Sequence, residues 1–162
     1  METFKKLNNH ILITYISYLR AYQWDKYKLC FSNEIEPIQD IIQDGNYGLY
    51  LNHHLIGYGT IMPMEEELFN GVPNATWLKN SIHLEHGVHK AELAFIIHPK
   101  YQHCGYGKRL LNYMVEAARK DYDSAIAWLY KDNKKSLSLI EKSGFDFLSF
   151  NEDIIIFEKK LK

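Results

Sequence analysis

Apolar positions change their period several times along the chain, and each change marks an element. Leu7, Ile11, Tyr15, Tyr18 and Tyr22 recur at steps of three and four, which predicts an amphipathic helix over residues 8–21. A second helix is predicted over 36–44, with Pro37 in its first turn and Gly45 as its stop. Residues 47–51 and 55–61 are short apolar runs split by Asn52, His53 and His54, and they read as a hairpin entering a sheet. Residues 62–90 are the least regular: Glu65, Glu66, Glu67, Gly71, Pro73 and Asn74 mark loop, 82–88 form a candidate strand, and the remainder reads as an insertion.

The strongest pattern follows. Residues 93–97 are almost wholly apolar, as in a strand buried on both faces, and Pro99 denies the ladder a donor just past its end. Beyond Lys108, Leu110, Leu111, Met114, Val115 and Ala118 recur at helical spacing, while Lys108, Arg109, Asn112, Glu116, Arg119 and Lys120 take the other face. Between strand and helix, Gly105 and Gly107 let backbone N–H groups turn toward one point at the positive end of the helix dipole, where an anion such as phosphate belongs. Residues 124–130 form another buried strand, so strand, helix and strand make a crossover of the length a parallel pairing needs. A terminal hairpin is predicted from 145–150 and 154–160.

Composition narrows the functional classes. At 162 residues and 46% hydrophobic, the chain can bury one core, and a single domain over 1–162 is expected. A net charge of −1 with scattered lysines argues against a nucleic-acid surface. Lys5 and Lys6 ahead of an apolar run suggest a leader, but Thr14, Tyr15, Ser17 and Tyr18 interrupt that run and no cleavage pattern follows, so neither a leader nor a membrane span is expected. Cys30 and Cys104 lie far apart with no C-x-x-C spacing, which fits a reducing, cytoplasmic setting. His83, His86 and His89 offer metal-competent atoms at steps of three. Gly87 and Val88 disfavour the helix that would gather them, so no metal site is expected.

Residues 102–107, QHCGYG, fit a Q/R-x-x-G-x-G/A signature and resemble the GCN5-related N-acetyltransferases, the GNAT family. Residues 131–145, KDNKKSLSLIEKSGF, resemble the family's second block, N-x-x-A-x-x-L-Y-E-K-x-G-F, through Asn133, Leu139, Glu141, Lys142, Gly144 and Phe145. Ser136 stands where the pattern has alanine, and Ile140 where it has tyrosine. The resemblance is clear over 91–145, extends to the hairpin at 47–61, and is only topological before that. It implies a mixed α/β domain whose central twisted sheet has strands four (91–97) and five (124–130) splayed apart around the pantetheine arm of the cosubstrate, acetyl-CoA. The main chain of Phe95, Ile96 and Ile97 would pair with the pantetheine amides. Gln102, His103, Cys104, Gly105, Tyr106, Gly107 and Lys108 would cradle the pyrophosphate, with Asn133 on the other side of the arm. Trp24, Tyr27 and Phe31 either pack the core or border the acceptor groove.

The implied reaction is transfer of acetyl to a primary amine of a small molecule, peptide or protein lysine. Glu92 is the candidate general base, since the histone acetyltransferase branch carries a glutamate in a similar A-E-aliphatic context; it could instead cap the strand in solvent or pair with Lys90. With Ile140 in the tyrosine position, the thiolate leaves unassisted or another group such as Tyr106, Tyr130 or Ser138 protonates it. The alternative function is a non-catalytic acyl-CoA-binding module. A homodimer is compatible with either.

Overall fold

The computed structural model describes residues 1–7, 45–64 and 75–162. The helices expected at 8–21 and 36–44, the stretch with Trp24, Tyr27, Cys30 and Phe31, and the acidic run at 65–67 lie outside the described residues. Seven strands are described: β1 (Glu2–Lys6), β2 (Asn46–Leu51), β3 (His54–Pro63), β4 (Lys90–Ile97), β5 (Ser124–Tyr130), β6 (Asp146–Phe150) and β7 (Ile154–Lys160). They form one mixed sheet in the order β1-β2-β3-β4-β5-β7-β6. Three described helices are α1 (Ala75–Ile82), α2 (Tyr106–Ala118) and α3 (Lys134–Lys142). The architecture is the mixed α/β one the sequence implies. Strands β4 and β5 are parallel, with Lys90, Ala91 and Glu92 opposite Ser124, Ala125 and Ile126. The ladder ends at Glu92, whereas β5 stays paired with β7 through Tyr130.

The residues group into two compact units, Met1–Ile61 with Ala94–Met114, and Met62–Leu93 with Val115–Lys162. In the first, Leu49, Ile56, Tyr58, Ile97, Leu110 and Met114 are buried. The first part of α2 sits directly over two glycines of β3. A Cβ on Gly57 would stand 2.8 Å from Ile97 and 3.2 Å from Leu110, and one on Gly59 would collide with the Met114 sulfur. The helix start is therefore seated by the absence of side chains beneath it. Strand β1 is clamped onto the same helix: Arg109 and Tyr113 both donate to the Glu2 carboxylate, at 2.8 and 2.9 Å, and Phe4 stacks between Tyr47 and Tyr113.

In the second unit, Met64, Ile82, Ile126, Ile154 and Ile156 form a buried cluster, flanked by Trp77, Leu84, Trp128, Tyr130 and Leu148. The Lys90 ammonium donates to Ile82 O at 2.8 Å and pairs with Glu158 at 3.1 Å, both side chains largely buried. The terminal hairpin forms as expected, with a bulge between Phe147 and Ser149.

Two expectations need correction, and one strand was missed. The strand proposed at 82–88 is absent: α1 runs to Ile82, His83 reverses the chain at φ +54, and the following residues are irregular. The alternation of Ile82, His83 and Leu84 imitates a strand, but Trp77 and Ile82 face the core from a helix. Strand β1 was not legible, since Phe4 is its one apolar side chain and its place depends on pairing with β2. Finally, β4 is not buried on both faces throughout. Ala94, Phe95 and Ile96 are half-buried, in the part of the strand beyond its last β5 partner.

Candidate active site

The connection from β4 to α2 is built by local bonds. Pro99–Tyr101 form one 3-10 turn, capped by His98, whose Nδ1 accepts Lys100 N–H at 2.9 Å. Burial and the Lys100 charge hold the His98 pKa below the ordinary histidine value, partly offset by a backbone hydrogen bond, which suits a ring nitrogen used as an acceptor. His98 meets Tyr101 edge-on, and Tyr101 meets Tyr106 in the same way. Gln102 Nε2 donates to Ile97 O at 2.8 Å, tying the loop to the end of the strand. His103 and Gly105 then take positive φ angles of +64° and +87°. Gly105 O accepts Arg109 N–H at 3.3 Å. The N–H groups of Tyr106, Gly107 and Lys108 thus lie in the first helical turn, where an α-helix supplies no partner of its own. A side chain at Gly105 would meet no atom within 4 Å, so this turn opens onto free space. A diphosphate suits such a cradle, with unpaired donors at the positive end of a helix. Lys108 is exposed beside it, as is the unpaired thiol of Cys104.

Main-chain direction along β4 follows from two bonds. His98 N donates to Ile56 O and Met64 N donates to Lys90 O, so even-numbered residues of β4 turn their main-chain groups toward β3. Ile96 belongs to that set. Phe95 and Ile97 present theirs to the opposite edge, where Ile97 O is already held by Gln102.

Glu92 sits at the last β4–β5 register, opposite Ile126. Trp128, two residues on and hence on the same face, donates its indole N–H to Glu92 Oε1 at 2.7 Å. Burial raises the carboxyl pKa above the usual carboxylate value, and the indole bond lowers it in part. The pairing with Lys90 is not formed, because Lys90 is taken by Glu158 and Ile82 O. Glu92 is thus a half-buried carboxyl with an oriented oxygen and a raised pKa, the condition that moves a carboxylate toward the working range of a general base.

Asn133 is buried and caps α3, its side chain accepting Ser136 N–H at 3.4 Å. Ile140 is fully buried, so the position that carries tyrosine in the signature is a core position here. Gly144, at φ +83, follows the helix end. His83, His86 and His89 are exposed, and no group of three metal-ligating side chains converges among the described residues. Sequence reasoning missed Trp128, whose role emerges only when the parallel register brings it beside Glu92. It also missed His98, which reads as an ordinary strand-end residue.

A family model described as the acetyltransferase (GNAT) family matches residues 14–145. The chain belongs to the GNAT family. GNAT proteins use acetyl-CoA as their acetyl donor. A GNAT-family acetyltransferase from Streptococcus pneumoniae has a similar structure, with a TM-score of 0.71 at 14% identity over 100% of both chains. The ribosomal-protein-S18-alanine N-acetyltransferase from Escherichia coli gives 0.64 at 16%, covering 100% of this chain and 95% of that one. The yncA protein from Salmonella typhimurium, solved with acetyl-CoA, gives 0.65 at 15%, again over 100% and 95%. At these identities the likeness is one of fold. No curated protein sequence matches the chain. Among the described residues no helix is long and apolar enough to cross a membrane.

Proposed function

We propose that residues 1–162 act as one GNAT domain that transfers the acetyl group of acetyl-CoA to a primary amine, directly and without an acyl-enzyme. The supporting observation is Glu92, a half-buried carboxyl held by Trp128 on the strand that leads into the glycine loop. In this reading the N–H groups of Tyr106, Gly107 and Lys108 hold the pyrophosphate, with Gln102, His103, Cys104 and Gly105 shaping the loop around it. Phe95 and Ile97 offer main-chain groups to the pantetheine arm, and Asn133 fixes the start of α3. Glu92 takes the proton of the acceptor ammonium, whose ordinary pKa is about 10.4. The freed nitrogen attacks the thioester carbonyl carbon, the carbon–sulfur bond breaks, and coenzyme A leaves as thiolate. A thiol of pKa about 8.5 departs without a dedicated acid, consistent with the buried Ile140. Cys104 faces the phosphates and is not a nucleophile. Its free thiol fits a reducing compartment.

Ile140 also supports a second reading, an acyl-CoA-binding module without turnover, because the tyrosine expected to serve as acid is replaced by a core side chain. Thiol release from acetyl-CoA across a panel of small amines, amino acids and lysine peptides separates the two. Amine-dependent release supports the enzyme; tight acetyl-CoA binding with no release above background supports the module.

A further inference from the structure

We infer that Trp128 is the positioning residue for the base, its indole N–H aiming and charging the Glu92 carboxylate; this rests on the reading of Glu92 as general base.

The geometry is specific. Glu92 and Ile126 are in parallel register, so the next side chain on that face of β5 is Trp128, and its N–H reaches Glu92 Oε1 at 2.7 Å. The ring is itself held, packed on the cluster of Met64, Ile82, Ile126, Ile154 and Ile156 and edge-on to Tyr130 at 6.3 Å. A rigid donor on a packed ring fixes one carboxylate oxygen and leaves the other to accept a proton. An indole donates but never titrates, so it favours the ionised base at every pH without competing for the proton.

Other ionisable groups on this face do not take that role. Lys90 lies two residues before Glu92 on β4, but its ammonium is bonded to Glu158 of β7 and to Ile82 O. Tyr130 of β5 is edge-on to the indole rather than on the carboxylate. Helix α1 brings Lys79, and β6 begins with Asp146; neither contributes to the shift at Glu92. Met62, Pro63 and Met64, on the β3 side, carry no charge. Among the described residues, Trp128 is the donor on this carboxylate.

The test combines a spectroscopic arm with a kinetic one on the full chain. In protein labelled with 15N-tryptophan, one of the three indole N–H resonances should move with pH through a midpoint above the ordinary carboxylate range. It should be missing in Trp128→Phe and lose its pH dependence in Glu92→Gln. In the kinetic arm, the acid limb of the kcat/KM profile, measured with the amine best used in the thiol-release panel, should move up by about one pH unit in Trp128→Phe. The plateau kcat should fall while KM for acetyl-CoA holds. Replacing Trp128 with benzothienylalanine, which keeps the bicyclic shape and lacks the N–H, should reproduce the limb shift if the hydrogen bond rather than packing is responsible. An acid limb that Glu92→Gln abolishes but neither Trp128 variant moves would overturn the positioning role and leave the base standing. A limb that survives in Glu92→Gln, no turnover of any amine, or an indole resonance indifferent to pH in the unmutated chain, would overturn the inference too.

Discussion

Gly105 and Gly87 make a matched pair for testing the phosphate cradle. Both sit at nearly the same positive angle, φ +87 and +83, and a Cβ at either would meet nothing within 4 Å. The cost of Gly→Ala is therefore conformational and nearly equal at the two sites, about 1–2 kcal/mol for an L-residue held in the left-handed region. For a chain of this size that lowers Tm by roughly 2–8 °C. Their surroundings differ in function. Gly105 immediately precedes the first N–H groups of α2, so a methyl there projects where the pyrophosphate is proposed to lie, while Gly87 belongs to the turn before β4 and to no part of that loop. Acetyl-CoA at a hundredfold over Kd should stabilise the unmutated chain by about 2.7 kcal/mol. Thermal unfolding with and without acetyl-CoA should show Gly87→Ala and Gly105→Ala equally weakened when free. Gly87→Ala should keep the ligand shift, and Gly105→Ala should lose most of it. If both keep the full shift, the loop does not hold the phosphates and the pyrophosphate is bound elsewhere on the chain.

Glu92→Gln should lower kcat by about 10²- to 10⁴-fold while preserving the acetyl-CoA shift. It should also stabilise the free protein at neutral pH. Because the folded pKa is raised, the native state holds its proton to higher pH than the unfolded chain, so stability falls as pH rises above about 4.5 and through the folded value. Urea unfolding at pH 5 and pH 8 should show that decline in the unmutated chain and a smaller one in the variant; equal declines would place the charge in solvent. Lys90→Met should cost about 3 kcal/mol by leaving Glu158 unpaired in a largely buried site, and adding Glu158→Leu should recover much of it, as read by urea midpoints. Ile140→Tyr should destabilise by about 1–3 kcal/mol through overpacking and should not speed turnover, since the ring has no room at a fully buried position. A faster variant with unchanged Tm would mean that the ring reaches the thiolate after all.

How much was legible follows from the range of the interactions involved. The sequence by itself determined the β4–α2–β5 crossover and the terminal hairpin, because period-two and period-3.6 patterns are set by side-chain direction within each element. It also marked Gly105 and Gly144 as turn positions, since positive φ is a local backbone demand. It could not reveal β1, whose single apolar residue, Phe4, is held by stacking against Tyr47 and Tyr113. Nor could it separate α1 from a strand where the pattern was short. At the candidate site, Glu92 was visible as a carboxylate on an apolar strand, but its protonation behaviour was not. Only the tertiary structure decided that Lys90 goes to Glu158, that Trp128 takes the carboxylate, and that Ile140 is core. Each of those outcomes depends on which strands stand side by side and in what register, and a shift of one residue would have turned Trp128 to the other face of the sheet.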